Sequence, residues 1–174
     1  MDHSVHPFPE QAFHDVLTGN EAYTAHFHDE GLSGIARQGL AIVTCIDSRI
    51  DPLAIVGMKA GDVKIIRNAG ARVTSDVLRT LVLASHLLGV ERVLVMPHTD
   101  CKMASGNEEQ MHQAILEASG IDTRSLQIRT VDNVDEALRA DLVRIRAFRY
   151  LPEDLVAAGV IYDVRTGRLA RVDA

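Results

Sequence analysis

Two apolar runs that end in chemistry restrict the fold of this chain more than any other feature. Ile42-Val43-Thr44 stops at Cys45-Ile46-Asp47-Ser48-Arg49, and Val93-Leu94-Val95-Met96-Pro97 stops at His98-Thr99-Asp100-Cys101. A short continuous apolar run bounded by polar residues is the pattern of a strand buried on both faces of a parallel sheet. In such a sheet, residues just past the carboxyl ends of the strands converge on a ligand site. The expected fold class is therefore α/β: a mostly parallel central sheet flanked by helices.

Taken in order, Gly39 to Ile46 reads as the first strand. Asp51-Pro52 breaks the chain before a short helical stretch through Leu53, Ile55, Val56 and Met58, and Val63 to Arg67 reads as a second strand. Its tail, Arg67-Asn68-Ala69-Gly70-Ala71, predicts a turn beside whatever lies at the strand ends. Thr74-Ser75-Asp76 caps a helix whose apolar face is Val77, Leu78, Leu81, Val82 and Leu88, closed by Gly89, and Arg92 to Met96 is a third strand. That strand, helix, strand unit predicts that the second and third strands are parallel neighbours.

Met103 to Gly120 reads as helical, Leu126 to Val131 as either a strand or an extended link, and Asn133 to Arg149 as a helix again. On that last helix Arg139, Arg144, Arg146 and Arg149, interspersed with Asp135, Glu136 and Asp141, read as a solvated face. Gly159 to Val164 and Arg168 to Val172, around Thr166-Gly167, predict a closing antiparallel hairpin. Residues 1 to 12, with His3 and His6, read as an extended arm. Phe13 to Gly31 reads as one or two helices interrupted near Gly19-Asn20, with His14, His26 and His28 at the surface.

The chain has 174 residues, 47% of them apolar, enough for one domain over 1–174 with a substantial core. A formal net charge of −6 argues against nucleic acid or an anionic membrane as partner. No apolar run approaches the roughly 20 residues that cross a bilayer, and MDHSVHPFPEQAF is not a basic segment followed by an apolar one. A cytoplasmic location is expected. There, two cysteines serve metal binding or redox chemistry more readily than a structural disulfide.

Cys45, His98 and Cys101 are two thiols and an imidazole at two strand ends, a soft donor set that suits one zinc ion per chain. Three protein ligands leave a fourth position for water, the mark of a catalytic rather than a structural site. Asp47 stands two residues from a ligand, near enough to accept a hydrogen bond from zinc-bound hydroxide or, in a closed state, to bind the metal itself. Arg49 can clamp that carboxylate through two parallel N–H donors and hold it off the metal, so the open form is expected at neutral pH. A noncatalytic zinc or redox dithiol protein is the alternative class. The proton acceptor is not singled out among His26, His28, His112 and Lys102.

CIDSR at 45–49 and HTDC at 98–101 resemble the CxDxR and HxxC signatures of the β-class carbonic anhydrases. RNAG at 67–70 and GVIYDVRTGRL near the C-terminus match the same family in order, so the resemblance spans about residues 35–172. The length and short C-terminal hairpin resemble those of the compact, prokaryotic-type members. The resemblance implies a catalytic core over 35–172, preceded by an arm and helices over 1–34, and reversible hydration of carbon dioxide to bicarbonate and a proton by zinc-bound hydroxide. It assigns Cys45, His98 and Cys101 as ligands, Asp47 and Arg49 as a catalytic dyad, and a homodimer or dimer of dimers with sites near the subunit interface. Hydrolysis of carbonyl sulfide or carbon disulfide at the same site is the rival activity. Two positions depart from the family: Lys102 replaces the usual glycine, and Ile42 stands where members with a noncatalytic bicarbonate site carry tryptophan. The second argues against that mode of bicarbonate inhibition.

Overall fold

Leu40–Cys45 forms β1, an inner strand of the parallel part of the sheet, and all six residues are buried. A run without polar alternation can satisfy itself only there. The computed structural model describes residues 6–28 and 31–174. His3 and the rest of the first five residues of the expected arm lie outside them. The chain divides into two compact units, Met1–Leu32 and Ser33–Ala174.

In the second unit, β1 pairs in parallel with β2 (Val63–Asn68) on one side and with β3 (Arg92–Met96) on the other. β3 pairs in parallel with β4 (Val156–Tyr162), which turns back antiparallel into β5 (Leu169–Val172). The order β2-β1-β3-β4-β5 corrects one expectation: the second and third strands are not neighbours but flank the first. Burial explains it. β2 carries Lys64, Arg67 and Asn68 and has no fully buried residue, so it takes the sheet edge and leaves an inner place to β1.

Two helices cover one face. α3 (Ser75–Leu87), capped by Thr74, and α5 (Val134–Arg146), capped by Asn133, bring Val77, Leu78, Leu81, Leu138, Leu142 and Ile145 onto Ala41, Val43, Val93, Val95 and Ala157. On the other face Leu40, Ile42, Met96 and Val160 pack with Ile50, Ile55 and Met58 around the short α2 (Pro52–Ile55). α4 (Glu108–Ser119) starts at an Asn107–Gln110 capping box and ends at Gly120 in the left-handed conformation.

Four local expectations are settled or corrected. Leu126 to Val131 is a link, tied down by Val131 N donating to Met103 O at 2.9 Å. In the first unit, α1 (His14–Thr24) runs unbroken through Gly19-Asn20, since one interior glycine costs only about 1 kcal/mol. His14, His26 and His28 are exposed. On α5, Asp141 does not belong to a solvated face. It lies on the buried stripe of Leu138, Leu142 and Ile145 and is 1% exposed. Among the described residues, no helix is long and apolar enough to cross a membrane.

Candidate metal centre

The carboxyl ends of β1 and β3 deliver the three donors. Cys45 is the last residue of β1, and His98 and Cys101 follow β3. One atom from each lies within 4.8 Å of the others. Cys45 and His98 are buried and Cys101 is partly exposed. The backbone under His98 is fixed: Tyr162 N donates to Pro97 O and Thr99 N to Tyr162 O, both at 2.9 Å, extending the β3–β4 pairing past the strand ends.

His98 Nδ1 lies 2.8 Å from Thr99 O. A carbonyl only accepts, so Nδ1 carries the proton and a neutral ring presents its lone pair at Nε2. Nε2 is buried and has no hydrogen-bond partner among the described residues. Buried polar atoms are rarely left so, because the lost hydration is uncompensated. The nearby groups are the right ones for a metal: Cys45 Sγ and Cys101 Sγ are 4.0 Å apart. Tetrahedral bonds of about 2.3 Å from one ion to each sulfur would set them about 3.8 Å apart. The donor set therefore fits a four-coordinate ion of zinc's size, with one position not supplied by these three residues. Burial pushes the Cys101 thiol up from its ordinary pKa, so metal uptake has to displace a proton.

Asp47 Oδ2 sits 3.8 Å from His98 Nε2. Arg49 grips this carboxylate as a fork, Nε to Oδ1 at 2.9 Å and Nη2 to Oδ2 at 2.7 Å, and its backbone N–H adds a bond to Oδ1 at 2.9 Å. Those Arg49 bonds hold the Asp47 carboxyl well below the usual carboxylate range. Sequence reading assigned Arg49 one partner, and it has two. Nη1 donates to Asp100 Oδ2 at 2.8 Å and Nη2 to Asp100 O at 3.0 Å, so one guanidinium ties the Cys45 loop to the Cys101 loop. The signal was a carboxylate within the HTDC run itself; its backbone, at φ 57°, is left-handed.

The loops rest on residues that carried no chemical label in the sequence. Arg67 donates to three carbonyls of the first loop: Cys45 at 2.8 Å, Asp47 at 2.7 Å and Ile50 at 3.2 Å. Gly70 N, in the turn after β2, lies 3.4 Å from Cys45 Sγ. Of the two departures, Ile42 is wholly buried in the core, and Lys102 is exposed at the start of a 3-10 turn over Lys102–Ala104.

The family model described as carbonic anhydrase matches residues 40–169, from the first residue of β1 to the first of β5. The chain belongs to the β-carbonic anhydrase family. Beta-carbonic anhydrase 1 of Mycobacterium tuberculosis is 33% identical over 158 residues, covering 91% of this chain and 96% of its own. A crystal structure of carbonic anhydrase from Streptococcus mutans superposes with a TM-score of 0.87 at 31% identity, covering 97% of this chain and all of that one. The family also reaches a carbon disulfide hydrolase of Acidithiobacillus thiooxidans, 26% identical over 182 residues and covering 89% of this chain and 83% of that protein.

Proposed function

We propose that this chain catalyses reversible hydration of carbon dioxide to bicarbonate and a proton, with one zinc ion per chain held by Cys45, His98 and Cys101. The observation that carries the reading is the unpartnered His98 Nε2 beside two thiols and an Arg49-bound Asp47. A zinc ion there supplies Lewis acidity that brings the pKa of water to about 7. Asp47, kept ionised, is purely an acceptor. It takes the O–H of the attacking water and leaves the oxygen lone pair to face the carbon. Arg49, anchored on its far side by Asp100, holds Asp47 in that role and away from the metal. Release of bicarbonate and of one proton completes the turnover.

The 33% identity to a β-carbonic anhydrase over nearly the whole chain supports carbon dioxide as substrate. The likeness to a carbon disulfide hydrolase supports carbon disulfide or carbonyl sulfide as the alternative. A stopped-flow pH-indicator assay on zinc-loaded protein is expected to show hydration above the buffer rate from neutral to alkaline pH. No rate above buffer, with sulfide released from carbon disulfide or carbonyl sulfide, would assign the chain to the alternative. Metal-free protein that readily forms a Cys45–Cys101 disulfide would support the redox reading instead.

The reading assigns the chemistry to residues 35–172, in the cytoplasm, and to a homodimer or dimer of dimers. Ile46, directly after Cys45 and 62% exposed, is consistent with a surface that a second copy covers. Mass in solution checks the assembly.

A further inference from the structure

We infer that Asp141 is a positioning residue for the Cys45 thiolate and acts through the Asn68–Val73 turn. The inference rests on the reading that Cys45, His98 and Cys101 hold a metal.

The turn is strained and has to be held. Gly70 and Ala71 both have positive φ, 80° and 57°, and alanine pays for that conformation with a contact between its Cβ and the backbone. Space is short as well. A Cβ at Gly70 would lie 3.3 Å from Met103 Cβ. The conformation points the Gly70 N–H at Cys45 Sγ, 3.4 Å away. A thiolate that accepts an N–H gives up some electron density, which tunes its bond to a metal as other hydrogen bonds to ligands do.

Two side chains lock the turn. Asn68 acts from within, accepting from Arg72 N at 2.8 Å and donating to Arg72 O at 2.7 Å. Asp141 acts from α5. Its Oδ2 accepts from Arg72 Nε at 2.7 Å and Val73 N at 3.1 Å, and its Oδ1 accepts from Arg72 Nη2 at 3.3 Å. At 1% exposure this carboxylate sits on a stripe where every neighbour is apolar. A leucine there would pack as its neighbours do, and a buried ion pair is often no more stabilising than well-packed apolar residues. What the pair adds is geometry: a fixed fork on Arg72 plus a third bond to the next backbone N–H. The line of contacts runs from α5 to the turn and from the turn to the sulfur.

The test is cobalt(II) loading of the metal-free protein, read by the thiolate-to-cobalt charge-transfer band and by cobalt affinity. Losing the N–H bond raises the sulfur lone-pair energy, so the band of Asp141→Asn is expected at longer wavelength, with affinity weaker by about 10–100-fold. If Asp141→Asn does not fold, Arg72→Lys, which keeps the charge pair and loses the fork, is read in its place and should move both quantities in the same direction. Ile145→Val, one turn along the same buried stripe, is the stability control and should leave the band unmoved. An unchanged band and affinity in the folded variant, or an equal shift in Ile145→Val, would overturn the inference. Wild-type protein that binds no cobalt would instead sink the metal reading itself.

Discussion

The two ends of the parallel sheet are built from similar residues and behave differently. At the amino ends every named polar group is answered. Asp62 accepts from Lys59 N at 3.0 Å and Arg37 Nε at 3.1 Å, and Gly39 O takes the N–H groups of both Glu91 and Arg92. At the carboxyl ends a buried imidazole nitrogen has no hydrogen-bond partner among the described residues, two thiols approach within 4.0 Å, and Ala71 and Asp100 sit at positive φ. An ion pair alone does not distinguish the ends, since Arg37–Asp62 and Arg49–Asp47 are both short. The distinction lies in what is left unsatisfied or strained, because a fold keeps such costs mainly where function needs them.

Changes at the carboxyl ends should therefore remove chemistry while sparing the fold. The largest effect is expected for His98→Ala, which takes one donor of three: zinc should be lost on dialysis and hydration should fall to the buffer rate, checked by metal analysis and stopped flow on the same sample. Retention of a full equivalent of zinc would show that Nε2 is not a ligand. Next in size, Arg49→Ala should keep its zinc and lose about 10–100-fold in turnover, as is usual when a group orienting the metal site is removed. Asp100→Asn, which loses a charge and keeps the carbonyl contact, should fall only a few-fold. Equal losses in the two variants would mean that Asp100, not Asp47, is the partner that matters to Arg49.

Much of this was legible in the sequence and some was not, for a physical reason in each case. The strand cores, the cap at Thr74, and the donors Cys45, His98 and Cys101 are local patterns, readable within a few residues of chain. The pairing of β2 with β3 was misread because sheet order depends on which strand can bear exposure, a comparison between segments that are far apart. Asp141 was misread because helical charges usually face water, and its partner Arg72 is 69 positions away. The spacing of Leu138, Leu142 and Ile145 did carry a hint, a lone carboxylate on an apolar stripe. Arg67 was placed at the end of the second strand, but its hold on the first loop could not be read, since its three acceptors are backbone carbonyls, which any sequence supplies.

Changes at the amino ends should do the reverse. Gly89, which leads into β3, has φ 73°, and a Cβ there would meet Ile35 Cγ2 at 2.7 Å. Gly89→Ala is expected to cost about 1–2 kcal/mol from the left-handed backbone alone, a Tm lower by about 2–8 °C, with turnover per bound zinc unchanged. Calorimetry and stopped flow on the same preparation separate the two.

The smallest effect, and the sharpest check on the comparison, belongs to Asp62. The Lys59 N–H first, and then Arg37, hold its carboxyl below the ordinary carboxylate pKa. A group whose folded pKa is depressed adds stability above its unfolded value, about 3.9, and that stability is lost as pH falls toward the folded value. Asp62→Asn puts an amide where Lys59 N and Arg37 both need an acceptor, so its Tm should lie below that of the wild type at pH 7. The gap should narrow once the wild-type carboxylate protonates, below about pH 4. Turnover per bound zinc at pH 7 should be the same in both proteins. A drop in turnover with zinc fully retained would mean that the amino ends of the strands are coupled to the site, and the division between the two ends of the sheet would fail.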